Sequence, residues 1–133
     1  MSPFELAARL TFEIPEHGVV RNVEATAAFG QAVSRAGAAF AIDHFGVHRD
    51  CLALLRRLHP AYVKFAGAKV LRIITDAGAH YFAESLVRTA RQLDIPVYAH
   101  HVEDEDTFQA IASIGFSGYQ GKLGGAPTPW PVG

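Results

Sequence analysis

The chain has 133 residues, half of them hydrophobic and 19% charged, which fits one domain with a sizeable core and excludes a disordered polymer. A formal charge of -1 provides no field to draw nucleic acid or an anionic membrane surface, and one cysteine excludes a disulfide framework and any paired-cysteine metal motif. No window approaches the ~20 apolar residues of a membrane span, so a soluble domain is expected.

Residues 3–9 read as the tail of a helix, and Leu10 to Ile14 alternates apolar and polar residues until Pro15 removes a donor and closes the strand. Asn22 is an expected N-cap for a helix to about Ala36, with Gly37 as its left-handed stop. Ala38 to Asp43 is the second strand, and it leads into Asp43-His44-Phe45-Gly46. A leucine-rich helix from Asp50 to Leu58 ends at His59-Pro60, before a short strand from Tyr62 to Phe65. Ala68 to Leu93 is helical with a break near Asp76-Ala77-Gly78. Asp94 to Ala99 is the fourth strand, Glu103 to Ile114 a helix stopped by Gly115, and Phe116 to Gln120 the last strand. Gly124, Gly125, Pro127, Pro129 and Pro131 mark an irregular tail. Strand and helix alternate five times with short connections, which predicts a parallel sheet of βα units.

Polar residues recur at the carboxyl ends of these strands: Glu13 and Glu16, Asp43 and His44, Lys64, His100 and His101, and Gln120. In a βα barrel they converge on one rim, where barrel sites sit. The acidic run Glu103-Asp104-Glu105-Asp106 opens a helix, where the macrodipole favours negative charge, so capping is expected of it. His17, His48, His59 and His80 read as solvated loop or helix-end residues, and Cys51 as a packed small side chain.

With these strand ends in a row, the chain resembles the carboxyl-terminal part of the EAL-domain family, phosphodiesterases of (β/α)8 type that open cyclic di-GMP. Phe12-Glu13-Ile14-Pro15-Glu16 is similar to E-I-T-E, Ala41-Ile42-Asp43-His44-Phe45-Gly46 to A-I-D-D-F-G, and Tyr62-Val63-Lys64-Phe65-Ala66 to V-K-I-D. Val97-Tyr98-Ala99-His100-His101-Val102-Glu103 is similar to V-I-A-E-G-V-E, and Tyr119-Gln120-Gly121 to the closing Q-G, with Pro127 at the late proline. The resemblance implies about the last five βα units of the barrel, with the E-A-L signature and an asparagine ligand upstream of Met1.

Members of the family hold two divalent cations, usually magnesium or manganese, on acids of these segments, and Glu13 and Asp43 match two of them. His44, Ala66 and His100 stand where further acids are expected, so magnesium and manganese are not expected as cofactors. Where the family has a G-Y-S-S type turn this chain has Val47-His48-Arg49-Asp50-Cys51, which implies that Glu16, whose family role is to hold that loop, loses its partner. The expected ligand-binding set is Glu13, Asp43, His44, Lys64, His100, Glu103, Gln120 and Pro127, with Glu13, Asp43 and Lys64 vestigial to catalysis.

These departures imply an inactive domain that binds c-di-GMP, most like the Lap-type inner-membrane receptors, with membrane helices, a HAMP element and a degenerate GGDEF domain upstream and the domain itself cytoplasmic. An interaction or dimerisation module that binds no nucleotide is the second reading. A hydrolase with a zinc-type site rebuilt from Glu13, Asp43, His44 and His100 is the third. The open edges of a partial barrel predict a homodimer. The downstream protein partner is not legible in the sequence.

Overall fold

In the computed structural model, which describes residues 10–100, 102–121 and 124–129, the chain folds as one twisted sheet with helices between its strands. The strands are β1 (Thr11–Pro15), β2 (Ala39–Phe45), β3 (Val63–Phe65), β4 (Val97–Ala99), β5 (Gly118–Gly121) and β6 (Gly124–Pro129). Connecting them are α1 (Glu16–Arg21), α2 (Val23–Arg35), α3 (Cys51–Leu58), α4 (Gly67–Arg72), α5 (Ala77–Gln92) and α6 (Glu105–Ile114). Spatial order follows chain order from β1 to β6, and the first five strands are parallel. This is the arrangement of consecutive units of a (β/α)8 barrel, as the alternation of strand and helix predicts.

Local chemistry sets the helix limits. The Asn22 side chain accepts from the Ala25 amide, Asp76 from those of Gly78 and Ala79, and Asp104 from that of Thr107, so each helix that follows begins on a capped turn. Gly37 and Gly115 take φ of 88° and 101° and stop α2 and α6. His59 takes the same left-handed region with φ 47° to end α3, where the sequence shows only a proline one residue on.

One face of the sheet is the core. Ile42, Val63 and Val97 are paired in register, as are Phe45, Phe65 and Ala99, and all six are at most 2% exposed. They pack with Leu54, Leu55, Leu86 and Ile111 from the helices. Paired residues of neighbouring strands share a face, and successive residues alternate. Glu13 paired with Ala41, and Lys64 paired with Tyr98, therefore stand on the other face, near the carboxyl rim.

One expectation fails. The segment after Gly121 was expected to be irregular, but Gly124–Pro129 forms β6, antiparallel to β5, with Thr128 opposite Tyr119. Glycine and proline are poor strand formers, yet β6 is the last strand of the sheet, and an edge strand tolerates a missing proline donor.

Candidate functional site

Glu13, Asp43, Lys64 and His100 come together at the carboxyl ends of β1 to β4. Lys64 is 6% exposed, and its Nζ lies 2.6 Å from Glu13 Oε2. The Tyr62 hydroxyl donates to the same oxygen at 2.5 Å, and Lys64 Nζ sits 6.0 Å from the centre of the Tyr62 ring. Tyr98 closes against Tyr62 edge to face, with 5.5 Å between centroids. Tyr62 was not among the expected site residues. Strand parity could have found it, since it precedes Lys64 by two residues and so shares its face.

Asp43 lies between two imidazoles. Its Oδ2 is 3.8 Å from His44 Nε2, its Oδ1 is 3.6 Å from His100 Nε2, and the two rings are 6.3 Å apart. The cause is a bulge in β2. Ile42 to Phe45 spans three steps while the paired Val63 to Phe65 spans two, and His44 absorbs the extra residue with φ 50°. A bulge breaks the alternation of faces, so Asp43 and His44 both reach the rim. The strain of a non-glycine residue in the left-handed region falls inside the candidate site.

Burial works against the charge on Glu13, but the hydrogen bonds from Lys64 and Tyr62 and the Lys64 charge outweigh it and hold the carboxyl below its usual 4.5. Burial first, and then its bond to Glu13, push the Tyr62 phenol well above its ordinary range. A carboxylate whose pKa is lower in the folded than in the unfolded state stabilises the fold above the unfolded value, and this is lost as pH falls through the folded one. The stability gap between wild type and Glu13→Gln is therefore expected to be widest near neutral pH and to close in acid, as pH falls through the lowered value of the folded carboxyl. Urea denaturation across a pH series measures this, and a gap that stays constant into acid would mean that Lys64 and Tyr62 do not favour the ionised form.

Glu16 corrects a second expectation. Its loop partner is not lost. The Glu16 side chain, 3% exposed, accepts from the backbone amides of Gly46 at 2.8 Å, Val47 at 3.1 Å and His48 at 2.6 Å. The amide group is the same whatever side chain follows it, so the changed loop sequence leaves the contact intact. His48, expected as solvated, is half-buried, and its Nδ1 accepts from the Asp50 amide at 3.2 Å.

Of the remaining expected residues, Glu103 is exposed beyond β4 and Ala66 caps α4 at the end of β3. Gln120 lies in β5 and Pro127 in β6, but their side chains fall outside what the structure describes, as does His101.

The family model for the EAL domain matches residues 4–127. The chain belongs to the EAL-domain family. This EAL domain is similar to the cyclic di-GMP phosphodiesterase PdeF of Escherichia coli, with 29% identity over 92% of the chain and 16% of that protein. It also resembles LapD of Vibrio cholerae, solved with c-di-GMP bound, with a TM-score of 0.84 and 30% identity over 90% of this chain and 29% of that one. The BlrP1 manganese/cy-diGMP complex of Klebsiella pneumoniae superimposes with a TM-score of 0.83 and 28% identity, covering 91% of this chain and 31% of that one. The chain thus spans less than a third of each of these relatives. They include phosphodiesterases as well as LapD, so family membership leaves the activity state open.

The side chains of this EAL domain do not fit a pair of hard divalent cations. Magnesium asks for oxygen ligands in near-octahedral geometry. Glu13 already carries Lys64 and Tyr62 on one oxygen, Asp43 faces two imidazoles, and Ala66 offers no ligand atom. Among the described residues, no three His, Cys, Asp or Glu side chains gather as a metal site requires, which also weighs against a rebuilt zinc centre.

Proposed function

We propose that this EAL domain is a catalytically inactive receptor for c-di-GMP, the signalling part of a larger membrane-associated biofilm regulator. The carrying observation is the pairing of Glu13 with Lys64 and Tyr62, which compensates this acid within the chain, beside an Asp43 flanked by histidines. Such a rim keeps a cation and imidazole donors for a phosphodiester and lacks the acids that would activate water upon it. A receptor that opened its own signal would erase it. Likeness to LapD bound to c-di-GMP supports the ligand. No helix among the described residues is long and apolar enough to cross a membrane; the receptor reading places the domain on the cytoplasmic side, tethered by other parts of its protein.

Calorimetric titration with c-di-GMP should give saturable binding, which Lys64→Met weakens at least about tenfold, as expected for the loss of a buried charged contact. Incubation with magnesium or manganese should leave the dinucleotide intact. Turnover with either metal would sink the receptor reading, and a folded chain that gives no heat would leave the nucleotide-free module in its place.

One feature favours association of two copies as well. Among the described residues no strand covers the outer side of β1, and next to it Leu10 and Phe12 are 46% and 42% exposed, with Phe12 meeting Phe29 edge-on at 5.6 Å. An unpaired apolar strand edge is a template for another chain. A homodimer in light scattering is the corresponding outcome.

A further inference from the structure

We propose that the cavity between α1 and the loop at residues 46–50 is a second ligand site, separate from the Glu13–Lys64 centre, which takes an organic anion of about mononucleotide size. Its volume, about 660 Å³, lies within the range of roughly 300–1,000 Å³ in which proteins hold small molecules. Val20 and Val47 give it apolar walls, and His17, His44, His48 and Arg49 surround it.

His17, His48 and Arg49 are available as donors, whereas His44 also faces Asp43. Because His48 Nδ1 accepts from the Asp50 amide, the neutral ring carries its proton on Nε2. Among the described residues, His17 and Arg49 make no side-chain hydrogen bond or ion pair within the fold. The one acid in the lining is Glu16, and its two oxygens are occupied by the amides of Gly46, Val47 and His48. A guanidinium and imidazoles over an apolar wall match an oxyanion carried on a planar or apolar body. His44 is the only residue shared with the Asp43 cluster.

The site depends on what is particular to this chain. Val47, His48 and Arg49 occupy the loop in which the resemblance implies Gly-Tyr-Ser-Ser. The Glu16 carboxylate holds the loop backbone through three hydrogen bonds, so these side chains project from a frame that the fold positions. A ligand held here would lie next to His44 and so beside the first site. The inference does not rest on the receptor reading, because neither the donors nor the apolar wall includes Lys64, Glu13 or His100.

Phenyl phosphate is a suitable probe, with inorganic phosphate as its control, titrated into the full chain and followed by amide shifts and calorimetry. Saturable binding at residues 17–20 and 44–49 is expected, at least about tenfold tighter for phenyl phosphate than for inorganic phosphate. Arg49→Gln, and Arg49→Gln with His17→Ala, should weaken it at least about tenfold, while Lys64→Met should change it by less than about twofold. Both replaced residues are exposed, and the single variant keeps the test valid if the double one does not fold. Binding that ignores Arg49, equal affinity for the two phosphates, or no saturation would overturn the proposal. A change in molecular mass on Arg49→Gln without phenyl phosphate binding would also overturn it and assign the face to contact between copies. Loss of c-di-GMP binding with phenyl phosphate binding retained would count against the receptor reading alone.

Discussion

Glu16→Ala is expected to destabilise the domain by about 3 kcal/mol and to release the loop at residues 46–48. Hydrogen bonds to a charged group contribute about 1.5–3 kcal/mol each, and buried amides stripped of their acceptor cost about 1–3 kcal/mol each. Three amides share this one carboxylate, but the loop is near enough to solvent for water to recover part of the loss. For a domain of this size the change corresponds to a fall in melting temperature of roughly 10 °C. Amide exchange at Gly46 and His48 should rise faster than at Val63 or Val97 in the core. A loss below about 0.5 kcal/mol, the range of an ordinary surface substitution, would show that the loop is held by something else. Glu16→Gln should fall between the two, since one of its terminal atoms is a donor facing donors.

Phe65→Ala is expected to cost about 3–5 kcal/mol, the usual range for removing a buried phenyl ring. Phe65 is 1% exposed and stacks on Phe82 and Phe116 at centroid distances of 6.3 and 5.7 Å. It also lies directly beneath Gly46, where a Cβ would come within 2.8 Å of its ring while φ is 100°. The cavity left by Phe65→Ala therefore opens under the first amide that Glu16 holds. Chemical denaturation gives the cost, and c-di-GMP titration of the surviving folded fraction tells whether the rim keeps its shape. A Phe65→Leu variant that restores most of the stability would identify lost volume as the cause. A cost below about 1 kcal/mol would mean that the neighbouring rings collapse into the gap.

Much of this architecture is legible in the sequence because it rests on local signals. Asn22, Asp76 and Asp104 cap helices, Gly37 and Gly115 stop them, and Phe40-Ala41-Ile42, Val63 and Val97 mark buried strands. The convergence of Glu13, Asp43, Lys64 and His100 follows from strand register, which the regular alternation of βα units predicts. Three features resist such reading. The bulge at Asp43-His44 depends on pairing with β3, and no local residue pattern announces it. Contacts of Glu16 are to backbone, so comparing side chains in the loop points the wrong way. The strand at Gly124–Pro129 is imposed by its neighbour against its own propensity, a tertiary effect that composition opposes.

The sheet also has unlike ends. At one, β1 is a largely exposed parallel strand whose outer side no other described strand covers; at the other, β6 turns antiparallel and contains Pro127 and Pro129, which remove donors from the outermost described strand. A further strand, whether from the rest of a longer chain or from another molecule, can therefore add beside β1 more readily than beside β6, where proline removes the donors a ladder needs.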